Sequence, residues 1–549
     1  MTVTLLLNGA VFDGHRLVEG AEAVAVEDGR IAAVGTTSEL RAAAPTGARE
    51  VDAAGGLITP GFVDAHVHPV EGGIERMRCD LSAADTREDY LDLVKQYVDA
   101  NPGDGWVLGG GWHLAAFPGG TPSAGELDAI VGDRPVFLSN RDHHGSWVSS
   151  AALRIAGLDA SVPDPPDGRV ERDAEGNPTG MLQEGARNLV YRHVPRDTED
   201  DLLAGLAEGQ RYLHSVGVTG WQDAIVGDYG NHADTCVTYQ RADREGWLTG
   251  HVVGALWWDR ERGREQIPEL VERRRVFATE RFAPTSVKIM QDGIPENRTA
   301  AMIDPYLTPE HPGGCRCGTD ERGISFVDPA LLPGHVAELD AAGFQVHVHA
   351  IGDRAIREAL DAFAAARAAN GANDARHHIA HVQVVHPADV LRFAALGVAA
   401  NIQALWATFE PQMVELNVPL LGPERVEWQY PFADLLASGA HLSAGSDWPV
   451  TTANPWEAVH VAVNRTLRPD DHDFNPTPFV PGQRLTLAQG LAAYTSGSGW
   501  TNRRGGRIAV GEPADLAISD RNPFRRHEIE IGLTHNAATF VAGREVFSS

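Results

Sequence analysis

Eight short apolar segments recur through the middle of the chain, at residues 61–68, 216–223, 249–257, 285–291, 344–350, 377–382, 397–402 and 441–446, with helical stretches between them. Strands that alternate with helices build a parallel sheet, since each strand must return by a crossover to lie beside its predecessor. Eight such units close a TIM (β/α)8 barrel, and this α/β fold is the one the pattern predicts. The start-to-start gaps agree: 33 residues from 216 to 249, 36 from 249 to 285 and 33 from 344 to 377. The first gap, from 61 to 216, is 155 residues. Eight units fill about 250 residues, so roughly 120 residues are inserted after the first strand. This block, 75–198, carries Pro/Gly-rich and aromatic segments such as Gly109-Gly110-Gly111-Trp112-His113, and we expect an inserted subdomain on the active-site side of the barrel. A smaller insertion, about 296–328, holds Cys315 and Cys317 in a Gly/Pro-rich loop. Both cysteines read as ordinary loop thiols, with a metal or redox role as the alternative.

The two chain ends differ from the middle. Leu5-Leu6-Leu7 precedes Asn8-Gly9, and Ala23-Val24-Ala25-Val26 precedes Asp28-Gly29 and Ile31-Ala32-Ala33-Val34. Asn-Gly and Asp-Gly between apolar runs signal hairpins. The same style returns at 506–511, 514–518 and 539–546. The expected organisation is therefore a β-sandwich built from 1–58 plus 505–549, a barrel over 59–504, and the insertion 75–198 within it.

Composition sets outer limits. The chain is 43% hydrophobic and 22% charged, as in ordinary globular proteins. A net charge of −29 argues against nucleic acid and anionic membranes as partners, since both need a basic surface. No apolar stretch is long enough to span a bilayer. The start, Met1-Thr2-Val3-Thr4-Leu5-Leu6-Leu7, has no basic segment and reads as a strand rather than a signal peptide, so a cytoplasmic location is expected. A homodimer is the default expectation for assembly.

Chemistry in a TIM barrel sits at the C-terminal ends of the strands. The first predicted strand ends in His66-Val67-His68, and residues two apart on a strand share a face. Two imidazoles so placed suit a divalent transition metal, or form a packed, hydrogen-bonded pair. The fourth strand carries Lys288 within an apolar run. The fifth offers His347 and His349, the sixth ends in His381, and the eighth runs into Gly445-Ser446-Asp447. Each residue alone has an ordinary structural reading; five strand ends supplying such groups together point to one metal site.

Three segments carry a family resemblance: Gly61-Phe62-Val63-Asp64-Ala65-His66-Val67-His68-Pro69, His349-Ala350-Ile351-Gly352-Asp353-Arg354-Ala355 and Gly445-Ser446-Asp447-Trp448-Pro449-Val450. With them the chain resembles the amidohydrolase superfamily, in particular its family-3 (YtcJ-like) branch. The likeness covers essentially the whole chain, including Asp142-His143-His144-Gly145-Ser146-Trp147-Val148 in the insertion. Around His381–Pro387 and Asn401–Trp406 it is similar to N-substituted formamide deformylases.

The resemblance implies a site for one or two zinc ions. His66, His68 and Asp447 would hold one ion, and His349 and His381 the other. Lys288 would bridge them as a carbamate made by adding CO₂ to its amine. His349 is preferred to His347 because it lies nearer the strand end, directly before the matched Gly-Asp segment; His347 is then packing or supports a ligand. Asp447 would also be catalytic, taking a proton from the attacking water and passing it to the leaving amine. The substrate would be a small-molecule amide, in the deformylase case a formamide. His144, Trp112 and Trp406 are the candidate substrate-binding residues, and Trp147, Trp221, Trp257 and Trp448 also fall near strand ends or in the insertion. Asp292 and Glu184 are weaker candidates for a substrate-facing polar group, with surface or capping roles as the ordinary reading. The other readings are a cyclic-amide or imide hydrolase, a deaminase on the same scaffold, and a non-catalytic binding protein.

Overall fold

The structure is a computed structural model, and it describes residues 3–229, 232–307 and 321–549. Cys315 and Cys317 lie outside the described residues. The eight strands expected of the barrel all form and join one parallel sheet: β1 (Phe62–Val67), β2 (Val218–Val226), β3 (His251–Trp257), β4 (Phe282–Met290), β5 (Gln345–Ala350), β6 (His378–His381), β7 (Ala399–Ile402) and β8 (Leu442–Ala444). Their order in space is their order in sequence. Helices follow them on the outside, for example Ile267–Phe277 after β3, Asp353–Asn370 after β5 and Pro455–Asn464 after β8. Apolar side chains of strands and helices make one large core, with Val287, Val346, Val348 and Ile379 buried against Ile356, Leu360 and Phe363.

The ring is completed just beyond β8 by two backbone bonds. Asp447 N–H donates to His66 O at 2.7 Å and His68 N–H to Trp448 O at 2.9 Å. Between them Gly445 packs on β1, where a Cβ would stand 2.6 Å from the Cβ of His66.

Both chain ends form the expected sandwich. One sheet contains Arg30–Gly35, Ala23–Glu27, Val3–Leu7 and Arg49–Asp52; the other contains Ala10–Val11, Leu57–Pro60, Leu516–Ser519, Asn536–Val541 and Arg544–Ser548. Asp28-Gly29 makes the predicted hairpin, with φ of 47° and 80° at its two turn residues. Asn8-Gly9 does something else: it carries the chain from one sheet to the other. Gly9 is pressed there against Ala53 and Ile58, whose atoms a Cβ would meet at 2.8 and 2.9 Å. Strand Leu57–Pro60 pairs with Leu516–Ser519, so the sandwich runs two residues past the expected boundary at 58. Residues 506–511 form no strand.

The insertion has its own six-stranded sheet, in the order Gly168–Arg172, Pro178–Glu184, Gly145–Val148, Val136–Asn140, Val107–Trp112, Cys79–Asp80. It also has its own core around Tyr90, Trp112, Phe117, Leu138 and Trp147. It leaves the barrel after helix Pro69–Arg76 and returns into helix Glu199–Ser215. The second helix starts at a reciprocal cap, in which Thr198 accepts from Asp201 N–H and Asp201 from Thr198 N–H, with three acids in the first turn favoured by the helix dipole. Glycines let the two helices touch backbone to backbone: a Cβ on Gly73 would lie 1.9 Å from Gly205 O, and one on Gly209 2.2 Å from Pro69 O. No helix among the described residues is long and apolar enough to cross a membrane.

This seam yields a stability prediction. Gly73→Ala forces two backbones apart, and overpacking of this kind costs about 1–3 kcal/mol. Gly125→Ala, on an exposed helical position with nothing within 4 Å of the new Cβ, should be neutral or slightly stabilising. Thermal unfolding of the two variants should separate them by several degrees; equal melting temperatures would show that the seam is not tightly packed.

Candidate metal centre and active-site cavity

A cavity of about 500 Å³ opens at the C-terminal end of the barrel strands. His66, His68, Lys288, His349, His381 and Asp447 all line it. The strand register explains the gathering: Lys288 is beside His347, Met290 beside His349, and Ala350 beside His381. His66 Nε2 and His68 Nε2 both lie 3.1 Å from Asp447 Oδ1. His381 Nδ1 is 3.9 Å from Asp447 Oδ2, and Lys288 Nζ is 3.5 Å from His66 Nε2. The rings of His349 and His381 are 4.4 Å apart, centre to centre. His381 and Asp447 sit in left-handed backbone conformations, φ 77° and 59°, which few non-glycine residues adopt and which cluster at functional sites.

Electrostatics follow from burial. Desolvation pushes His66 down to about 3, with Lys288 adding to the effect and Asp447 opposing it. Desolvation brings Lys288 down to about 8. Asp447 is also fully buried, yet His66, His68 and His381 outweigh desolvation and hold its carboxyl well below the usual range. Burial thus favours neutral imidazoles at His66, His349 and His381 beside an ionised carboxylate, the forms that bind metal. His349 Nε2 and His381 Nδ1 are buried with no hydrogen-bond partner among the described residues. His66, His68 and His381 gather on the Asp447 carboxylate, with His349 beside His381 and 3.7 Å from Asp292 Oδ1, and such a donor set fits a divalent transition metal. His66, His381 and Asp447 each offer a ligand atom within 4.8 Å of the other two.

Residues behind the ligands hold them. His347 Nε2 is 2.9 Å from His66 Nδ1, so it supports His66 rather than facing the cavity. Asp64 accepts backbone N–H from both His66 and Ser446, each at 3.0 Å, and burial pushes its carboxyl up to about 7. Asp292 is fully buried, not at the surface: it accepts N–H from Ala301, Ile351 and Gly352 at 2.8–2.9 Å and fixes the turn that follows His349. Burial pushes its carboxyl up to about 8. Asp64 went unremarked in the sequence, although its period-two spacing from His66 and His68 puts it on their face.

The insertion reaches the cavity through a hairpin tip. Residues 141–144 join Val136–Asn140 to Gly145–Val148, and the neighbouring strand ends at Glu184. His144 Nδ1 is 2.8 Å from Glu184 Oε2, and both line the cavity. Glu184 is likewise not a surface or cap residue: Thr299 Oγ1 donates to it at 2.6 Å and Asn297 Nδ2 at 3.4 Å, from the barrel side. The His144 and His349 rings are 5.8 Å apart. Trp406 lines the cavity and stacks on His381 at 5.5 Å, and Trp257 lines it too. Trp112 is not brought there. It is buried in the insertion core beside Phe117 and Trp147 and donates to Leu138 O, because its strand turns that face toward the subdomain's interior. Trp147 and Trp221 are core residues as well.

The fold and these candidate ligands point to the class of barrel-type metal-dependent hydrolases. The chain belongs to the Amidohydrolase family, whose pattern it matches over residues 49–547. It is 29% identical to Protein LONG AFTER FAR-RED 3 of Arabidopsis thaliana, across 99% of this chain and 91% of that one. It is 28% identical to YtcJ of Bacillus subtilis, with 96% of each covered. Identity to an N-substituted formamide deformylase of Arthrobacter pascens is 27%, across 92% of this chain and 90% of that one. Among solved structures, an uncharacterized metal-dependent hydrolase of Pyrococcus furiosus superposes with a TM-score of 0.69 at 25% identity, covering 95% of this chain and all of the other.

The imidazole behind His66 can be tested apart from catalysis. Partners that orient a metal-bound histidine are typically worth 10–100-fold in metal affinity. His347→Phe, which keeps a ring but removes the hydrogen bond, should weaken zinc binding by that factor in chelator competition. Unchanged affinity would reduce His347 to packing.

Proposed function

We propose that the protein hydrolyses the C–N bond of a small-molecule amide at a zinc centre, with N-substituted formamides as the substrate class. The observation that carries this reading is the convergence of His66, His68 and His381 on the ionised carboxylate of Asp447, at the floor of a cavity roofed by the insertion. Membership of the Amidohydrolase family supports the reaction class, and the formamide deformylase relative supports the narrower substrate.

His66, His68 and Asp447 would hold one ion and His349 and His381 a second. A zinc ion bound there supplies Lewis acidity and a water acidic enough to attack near neutral pH. Burial favours the neutral amine of Lys288, the form that would add CO₂ with loss of a proton to give a carbamate able to hold metal. Asp447, held ionised, takes the proton of the attacking water and returns it to the nitrogen as the C–N bond breaks. The products are a carboxylate, formate in the case of a formamide, and an amine. With Nδ1 engaged by Glu184, His144 keeps Nε2 for a hydrogen bond to the substrate. Trp406 and Trp257 supply an apolar wall for the N-substituent.

Metal analysis of the purified protein should find zinc in stoichiometric amount, and chelation should abolish amide hydrolysis. Lys288→Ala should lower kcat at least 100-fold, with partial rescue by a short carboxylic acid standing in for the carbamate. Full activity in the metal-free protein would overturn the mechanism. Turnover of other amides but of no formamide would overturn the substrate class alone.

A further inference from the structure

A second cavity of about 450 Å³ adjoins the first and shares Asp142, Trp406, Pro449 and Val450 with it. A molecule lying beside Asp447 therefore has a continuous path past the indole of Trp406. Nine acidic residues line this recess, and three of them, Asp142, Glu296 and Glu410, come from three separate segments. Asp142 comes from the insertion hairpin, Glu296 from the segment after β4 and Glu410 from the segment after β7. Their protein partners are few. Among the described residues the Glu410 carboxylate makes no hydrogen bond or ion pair. Glu296 accepts from Asn417 Nδ2 at 3.1 Å, and Asp142 accepts from His144 N–H at 2.9 Å and lies 3.4 Å from Gln412 Nε2. Tyr430 lines the same recess, is 1% exposed, and its hydroxyl makes no hydrogen bond among the described residues.

The two arginines of the recess are committed elsewhere. Arg141 donates to Gly111 O and Ser82 O and lies 3.7 Å from Asp85. Arg76 bonds Glu208 at 2.9 Å and lies over the Tyr212 ring. Burial pushes Glu296 and Glu410 up to about 7, at Glu410 against the opposing charge of Arg141, and a cation between them would favour their ionised forms. The indole of Trp406 in the wall of the recess offers a further attraction for a cation, while an anionic group would meet a lining rich in carboxylates.

We propose that the recess binds a positively charged arm of the substrate, so that the amide cleaved beside Asp447 carries an alkylammonium group lying between Asp142, Glu296 and Glu410 and passing the face of Trp406. This specificity rests on the amide-hydrolase reading above and narrows it from N-substituted amides in general to those with a cationic substituent.

Three formamides of matched length separate the possibilities: N-formyl-1,5-diaminopentane (cationic), N-formylpentylamine (neutral) and N-formyl-5-aminopentanoate (anionic). The expected order of kcat/KM is cation, neutral, anion, with at least tenfold between the first two. In the Glu296→Gln/Glu410→Gln double variant the ratio of cation to neutral should fall to within threefold of one. A turnover-independent arm measures binding of 1-aminopentane against 1-pentanol to the zinc-loaded enzyme by calorimetry. There too the cation should bind at least tenfold tighter, and the double variant should lose the difference. A neutral probe that reacts and binds as well as the cation, or a ratio unchanged in the double variant, overturns the proposal. Carboxylate-dependent binding of 1-aminopentane without turnover of any amide would leave the cation site standing and overturn the amide-hydrolase reading instead.

Discussion

The carboxylate of Asp64 is the hinge on which the metal-binding arrangement turns. It takes N–H from His66 on β1 and from Ser446 just after β8, so one side chain fastens the first strand to the last. The backbone bonds from Asp447 to His66 and from His68 to Trp448 complete the join. His66 and His68 stand on one side of that join and Asp447 on the other, and their 3.1 Å approach is set by how the barrel closes. Removing the Asp64 acceptor would leave two buried N–H groups unpaired, at about 1–3 kcal/mol each. Closing the fold and assembling the site are therefore one event.

Much of this architecture is legible in the residues. Short apolar runs alternating with helical stretches identify all eight barrel strands within a few residues of their ends, although only three of the seven gaps lie near 33 residues. The sandwich is legible from paired turn signals at both termini. What misleads is local chemistry that serves a different geometry. Asn8-Gly9 has the composition of a hairpin turn but changes sheet, because a turn residue reports the backbone angle and not which strand comes next. Residues 506–511 alternate like a strand yet find no ladder to join.

The site divides in the same way. Lys288, His349, His381 and Asp447 are legible because each stands at the end of an apolar run, where a barrel exposes its side chains. His347 and Asp64 are harder to read, since their roles depend on what lies across the barrel rather than along the strand. Glu184 and Asp292 look like ordinary acids in loops; only the fold shows that each is buried and bound by groups distant in sequence. Tryptophans are the weakest guide. Trp112, Trp147 and Trp221 fill cores while Trp257 and Trp406 face the cavity, and nothing in their local sequence separates the two fates.

The glycine contact between helices Pro69–Arg76 and Glu199–Ser215 has a consequence for how the family can diversify. The inserted block leaves and re-enters the barrel through two helices that remain locked together. Its length and content can drift while the strand bearing His66 and His68 stays in place. The histidines and Asp447 at the strand ends come with the barrel, whereas His143, His144 and Glu184 reach the cavity on a module plugged in at a single port.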